Sequence, residues 1–404
     1  MRMQLTLRRL VATCAFFAVS SAGAARGEVV DFDTRTTIYN EGTPYGKMLV
    51  INPEAHIGVL PVEGLGINAG YQADVVSGAS IKVRGSQTPD VISSATVKDF
   101  RQLASGGLSF THKFSTIEAG YSYSTENDYR SNAIDASAKA ELLQRTMELS
   151  VAWAHDFDSV CDAVQTNDDP TQHRGMSTHE GCFTADKTKT THAIDVDAFS
   201  AGWTQLWSPT FATQLTGSLQ LQRGFLSNPY REVLIGVNTA AQEYVPGVRV
   251  RWAGGARMNW YLRPLQTALR LGVRAYRDTW DVRSADAELE LERYLFSPAF
   301  RVRARGRVYV QGQAAFYSDD YVSEPHGAYF TGNRDLANMH SVLGGLRFAY
   351  GPHAHDGRWI LGLSAVEVSL AGDVVWFHYD NFTVDGTRLE KLAIIASLGL
   401  TLQF

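Results

Sequence analysis

From Val248 to Arg263 the chain alternates with a period of two: Val248, Val250, Trp252, Gly254, Ala256, Met258, Trp260 and Leu262 share one face, while Arg249, Arg251, Ala253, Gly255, Arg257, Asn259, Tyr261 and Arg263 share the other. A helix would scatter both sets around its axis, so one greasy and one polar face require an extended strand. Segments of the same kind, about 9 to 14 residues each, recur from Val30 to Phe404 and are separated alternately by tight turns and longer polar stretches. An all-β chain follows. No run of about 18 apolar residues stands outside the N-terminal region, which excludes a bundle of membrane-spanning helices. With 45% hydrophobic and 11% aromatic residues, the chain also has too much apolar matter for disorder.

Alternation fits a soluble sandwich, whose greasy faces meet each other, or a transmembrane antiparallel outer-membrane β-barrel, whose greasy face meets lipid. Three features favour the barrel. The segments are as long as the roughly 9 to 11 tilted residues needed to cross a bilayer, whereas soluble strands average about 5 or 6. Aromatic residues, among them Trp153, Trp252, Trp260, Phe316 and Trp376, fall near segment ends, as interfacial girdles require. The C-terminal segment alternates Ile394, Ala396, Leu398, Leu400, Leu402 and Phe404 with Ile395, Ser397, Gly399, Thr401 and Gln403, and its terminal aromatic resembles the signal read by the outer-membrane assembly machinery. About sixteen segments are countable, an even number that returns both termini to the periplasm. The joint at Arg145-Thr146 carries no turn residue, so fourteen strands is the alternative. Stretches 77–98, 157–190, 226–246 and 319–338 are then extracellular loops.

The N-terminus reads as an address. Arg2, Arg8 and Arg9 precede an apolar run from Leu10 to Val19 and the small residues Ala22, Gly23 and Ala24, the order of a cleavable signal peptide over residues 1–24, leaving 25–404 as one barrel domain. Its removal takes three of 37 basic side chains and none of 42 acidic ones, deepening the net charge from -5 to about -8. That balance disfavours nucleic acid as a partner. Cys161 and Cys182 are the remaining cysteines, and in an oxidising compartment they read most simply as a disulfide that closes one loop, worth about 3 kcal/mol by loop entropy.

If the polar faces point inward, the lumen has an unusual wall. Arg301, Arg303, Arg305 and Arg307 alternate along one strand. Glu288, Glu290 and Glu292 alternate along the strand before it, and a hairpin closing at Ser297-Pro298 sets Glu292, Glu290 and Glu288 opposite Arg303, Arg305 and Arg307. Arg249, Arg251, Arg257, Arg270 and Arg274 extend this basic wall. Asp31, Asp33, Glu54, Asp74, Glu118, Asp135, Glu141, Glu148, Asp195 and Asp197 fall in the first half of the chain and are expected to make the opposite wall acidic. Such a lumen either filters a small polar solute by charge or is plugged by its own ion pairs.

The stretches Asp74-Val75-Val76-Ser77-Gly78-Ala79-Ser80 and Asp90-Val91-Ile92-Ser93-Ser94-Ala95-Thr96 repeat one theme, and Ser124 to Ser131 and Gly224 to Val233 add two further polar motifs. Together with the signal segment and Phe404, they resemble a family of Gram-negative outer-membrane proteins defined only as a domain of unknown function. The resemblance implies a porin-like barrel and brings no catalytic residue or cofactor. Asp74, Ser77, Ser80, Asp90, Glu126, Asp128, Tyr129, Tyr230 and Arg231 are then candidates for the extracellular mouth, where they either tie loops together or meet a solute or partner.

Two histidine groups, His173, His179, Glu180 and His192, and His353, His355 and Asp356, match no metal-site spacing, so no metal is expected. No GxSxG or HExxH motif occurs, and no enzyme is expected. The reading is an outer-membrane barrel, in contact with outer-membrane lipid, that passes or binds a small polar solute. Its alternative is a plugged barrel that sleeves or docks an exported protein.

Overall fold

The computed structural model describes residues 30–43, 46–78, 90–92, 97–236, 239–322, 326–352 and 363–404, so the signal segment, Ser80, His353, His355 and Asp356 lie outside the described residues. Nineteen strands occur among them: β1 (Val30–Thr43), β2 (Gly46–Val62), β3 (Leu65–Gly78), β4 (Asp90–Ile92), β5 (Val97–His112), β6 (Ser115–Thr125), β7 (Tyr129–Leu142), β8 (Met147–Ala163), β9 (Lys189–Ser208), β10 (Phe211–Gly224), β11 (Arg231–Leu234), β12 (Ala240–Gln242), β13 (Val248–Leu262), β14 (Thr267–Asp278), β15 (Arg283–Tyr294), β16 (Phe300–Gln311), β17 (Met339–Tyr350), β18 (Ala365–Val384) and β19 (Thr387–Gln403). Sixteen of them close an antiparallel barrel in chain order, with β1 sealed against β19 from Asp31↔Gln403 to Gly42↔Leu392. The remaining three, β12, β11 and β4, form a small separate sheet.

The doubtful joint is a real turn. Leu143, Gln144 and Arg145 all take left-handed backbone angles (φ 49, 57 and 68), a conformation usually marked by glycine or asparagine. This is why the sequence hides it. At the opposite end, Asp385-Gly386 closes the β18–β19 hairpin with two positive φ values, as the right-handed twist of its strands prefers.

Strand register assigns the two faces. On the face shared by Leu108, Ile117, Val273, Leu370 and Leu398, these large apolar side chains are each more than half exposed. A soluble protein does not leave such a belt in water. Facing lipid, it becomes favourable, and Trp153, Trp252, Trp260 and Trp376 stand on the same outward face as anchors. The protein is a multi-pass outer-membrane β-barrel.

Phe316 is not part of the girdle. β16 ends at Gln311, and Phe316 packs edge-on to Trp280 with ring centroids 5.2 Å apart in an apolar cluster built largely from extracellular segments. Asp195 and Asp197 also depart from expectation, because they share the outward face with Trp153 and Phe157, and Asp197 meets His155 at 2.8 Å. At 20 residues, β9 runs past the apolar belt, where an outward face can be polar. Alternation alone does not mark where the bilayer ends.

The extracellular ends carry a built cover. Val245, Trp280, Val282, Ala314, Tyr317, Leu336 and Ala337 pack with Tyr379, Phe382, Val384 and Leu389 of the last hairpin into one buried cluster. A second cluster joins Val233 and Ala241 of the small sheet to Tyr321 and Phe330. Cys161 and Cys182 are bonded, with Cα atoms 5.7 Å apart, and tie the loop after β8 against Met176.

Candidate lumenal site

The hairpin of β15 and β16 sets Glu292 opposite Arg303, Glu290 opposite Arg305 and Glu288 opposite Arg307. Arg303 keeps the partner opposite it, whereas Arg305 and Arg307 turn to other carboxylates. Arg303 donates from Nε to Glu292 at 2.8 Å and reaches Glu290 at 3.7 Å, while Arg307 lies 3.7 Å from Asp286. Arg305 passes over its neighbouring strand instead, donating from Nε and Nη2 to the two oxygens of Asp373 at 2.7 Å each. The reason is Gly345, which lies between them on the same rung. A Cβ built there would collide with the Asp373 carboxylate.

We therefore expect Gly345→Ala to break this bidentate pair and lower unfolding stability by about 1–3 kcal/mol, the cost of leaving a buried polar group unmatched. Gly344→Ala serves as control, because a Cβ there meets open space. Urea titration of the folded barrel measures both, and equal stabilities would remove the argument.

The network continues around the wall. Arg270 donates to Glu290 at 3.0 Å and contacts Glu292 at 3.5 Å, Arg274 donates to Asp286 at 3.0 Å, and Arg257 approaches Glu288 at 3.8 Å. Arg301 pairs with Glu367, which Arg347 also approaches at 3.6 Å. Arg249 binds Asp278 through Nε at 2.8 Å and lies 4.1 Å over the Trp280 ring. Arg251 differs, since its guanidinium donates to the neutral Gln220 at 3.1 Å and has no carboxylate partner among the described residues. By register, the inward faces of β13 to β18 hold ten arginines (Arg249, Arg251, Arg257, Arg270, Arg274, Arg301, Arg303, Arg305, Arg307 and Arg347) against seven carboxylates (Asp278, Asp286, Glu288, Glu290, Glu292, Glu367 and Asp373). Basic charge is in excess there. On β1 to β8, Asp31, Asp33, Glu54, Asp74, Glu118, Asp135, Glu141 and Glu148 face inward with few cations, such as Arg35 at 3.6 Å from Glu54 and Arg101 at 3.5 Å from Asp74.

A cavity of about 570 Å³ opens from this wall beneath the cover. Arg249, Arg251, Arg274 and Arg307 line it with Asp286, Tyr276 and Tyr309, and Asn333, Asp335 and Leu336 close it from the loop side. Between Asn333 and Asp335, Arg334 reaches β1, donating to Glu41 at 3.2 Å. Lys391 donates to the same carboxylate at 3.0 Å, and Tyr39 donates to it at 2.5 Å. The segment 333–336 thus runs from the basic wall to the β1–β19 seam and is latched there by Glu41, which is buried.

The mouth residues sit in several places. Asp74 receives Asn52 and Arg101, and Arg101 also lies 3.7 Å from Glu126, so these residues join the rims of β2, β3, β5 and β6. Tyr129 donates to Asp158, and the Asp128 carbonyl accepts from the Cys161 amide at 2.8 Å. Tyr230 packs beside the disulfide cluster. Arg231 lies 3.6 Å from the buried Glu243, whose carboxylate accepts from Thr331 at 2.7 Å and from the Asn228 amide at 2.6 Å. The backbone places Ser77 opposite Leu49 and Asp90 opposite Val233. Among the described side chains, Asp74 and Glu126 share Arg101, while Tyr129, Tyr230 and Arg231 stand against other partners. The sequence did not single out Asp286, nor Glu41, Glu243, Asp278, Glu367 and Asp373, whose partners are distant in the chain. Among the described residues no three His, Cys, Asp or Glu side chains are grouped to hold a metal ion. His192 stacks on Phe225 with centroids 4.5 Å apart, and His173 meets the Asn167 carbonyl at 2.6 Å.

A family model described as a protein of unknown function, DUF3570, matches residues 8–354. The chain belongs to this family. No curated protein matches the sequence of this DUF3570 member. Among solved structures, a bacterial polysaccharide outer membrane secretin is similar at 9% identity and a TM-score of 0.48, covering 95% of this chain and 100% of that one. OprD of Pseudomonas aeruginosa is similar at 7% identity and a TM-score of 0.41, covering 95% and 97%. A BenF-like porin from Pseudomonas fluorescens Pf-5 is similar at 9% identity and a TM-score of 0.43, covering 94% and 100%.

Proposed function

We propose that this barrel passes or binds a small polar solute through its charged lumen, with the extracellular cover controlling entry. The observation that carries this reading is the cavity of about 570 Å³ walled by Arg249, Arg251, Arg274 and Arg307 inside a closed barrel. Cavities of this size suit small ligands, and fixed charges lining a pore select by charge. The barrel acts as a channel or binding chamber without chemistry of its own and without a cofactor. Export through a signal segment over residues 1–24, and assembly through the terminal strand ending at Phe404, belong to the same reading.

The second reading, a plugged barrel that sleeves or docks an exported protein, draws on the ion pairs. Nearly every arginine of the basic wall already has a carboxylate, which leaves little free charge for a solute. Proteoliposome swelling separates the two. Purified, folded protein is expected to admit small sugars and amino acids faster than empty vesicles do. Swelling at the empty-vesicle rate, both for the native protein and after the cover is released, sinks passage and leaves the sleeve.

A further inference from the structure

We infer that the chamber beneath the cover is an oxyanion site that takes a small solute bearing a carboxylate or phosphate group, held between Arg251 and Arg307. This deepens the proposed function and rests on it. The Nε atoms of Arg251 and Arg307 are both buried and make no hydrogen bond among the described residues, the Arg307 Nε lying 3.7 Å from Asp286, beyond hydrogen-bond reach. Both arginines line the same cavity. A buried guanidinium N–H without an acceptor is costly, and an oxyanion is the acceptor that suits its fork best.

The charges around the chamber point the same way. Arg249 is neutralised by Asp278, and Arg274 and Arg307 share the single carboxylate of Asp286. Arg251 meets only the Gln220 amide oxygen. Asp335 lines the loop side. Four guanidiniums therefore face three carboxylates, and the unbalanced one is Arg251. Tyr276 and Tyr309 are occupied by Asp278 and Gln311, so their hydroxyls leave the arginine donors as the main polar handles. Val282 and Leu336 supply an apolar wall that an anionic head with a short hydrocarbon body would fill.

The test is calorimetric titration of folded protein in detergent with succinate, with inorganic phosphate and with glycerol as a neutral control, beside bilayer recordings of the same preparation. Saturable binding of one or both anions, with no glycerol heat, is the expected result, and the preferred anion names the source of the oxyanion. Arg251→Gln and Arg307→Gln should each weaken binding about tenfold or more, the loss of one charge-assisted hydrogen bond. Ala253→Leu, which fills the chamber without changing charge, should also abolish binding, and Arg263→Gln on the periplasmic turn should not affect it. Heat-dependent gel mobility verifies folding of each variant. No saturable anion heat from a protein that conducts overturns the oxyanion site and leaves passage standing. Anion binding in a protein that never conducts keeps the site and overturns passage, and binding unaffected by Arg251→Gln, Arg307→Gln and Ala253→Leu overturns the assignment to this chamber.

Discussion

Asp278→Ala is expected to lower the unfolding stability of the barrel by about 3–5 kcal/mol, the cost of breaking a buried ion pair from one side. Asp278 is almost fully buried, and its carboxylate receives four groups at once. Arg249 donates at 2.8 Å, the Tyr276 hydroxyl at 2.7 Å, and the backbone amides of Trp280 and Val282 at 2.9 and 3.0 Å, while its own amide donates to the Val282 carbonyl at 3.1 Å. The carboxylate thus builds the β14–β15 turn and holds Trp280 where Arg249 covers its ring. Removal leaves Arg249 buried without a counter-charge and frees Trp280 from the core of the cover. Asp278→Asn keeps an acceptor for the two amides and should cost clearly less. Urea titration followed by tryptophan emission measures both, and a loss below about 1 kcal/mol for the alanine variant would show that the turn stands without its carboxylate.

Arg334→Gln is expected to raise solute entry about tenfold while leaving barrel stability nearly unchanged. The Glu41–Lys391 pair survives this change, so the β1–β19 seam keeps its buried charges matched. What goes is the 3.2 Å bond by which segment 333–336 is latched to that seam. A hydrogen bond between charged groups contributes about 1.5–3 kcal/mol, enough to shift a closed-to-open equilibrium by about tenfold or more. Swelling of proteoliposomes reads the change. An unchanged rate, with the variant verified as folded, would mean that the cover is not the barrier to entry.

Much of the barrel is legible because its rules are local. Period-two alternation names the strands, and a hairpin closing near Ser297-Pro298 fixes which glutamate meets which arginine. The register follows, and with it the Glu292–Arg303 pair, but the partners of Arg305 and Arg307 do not. Arg305 turns to Asp373, 68 residues away, and only the rung through Gly345 would have revealed it. The cover lies beyond reach for the same reason, since Arg334 and Glu41 are 293 residues apart and Thr331 and Glu243 are 88 apart. Alternation has no term for such contacts. It also misplaces Phe316, because a segment that keeps alternating after its strand has left the ladder looks the same in sequence as one that remains in it.

The two walls of the lumen give the account its sharpest test. In planar bilayers, the native barrel should open in discrete steps and pass anions as well as cations, because its basic wall carries more arginines than carboxylates while the opposite wall is acidic. Replacing Arg301, Arg303, Arg305 and Arg307 together with glutamine strands Asp286, Glu292, Glu367 and Asp373 without those partners, and the reversal potential under a salt gradient should shift toward cation selectivity relative to the native barrel. A folded barrel that inserts yet stays silent, or one whose ion preference does not change after the four replacements, would contradict a charge-filtering lumen.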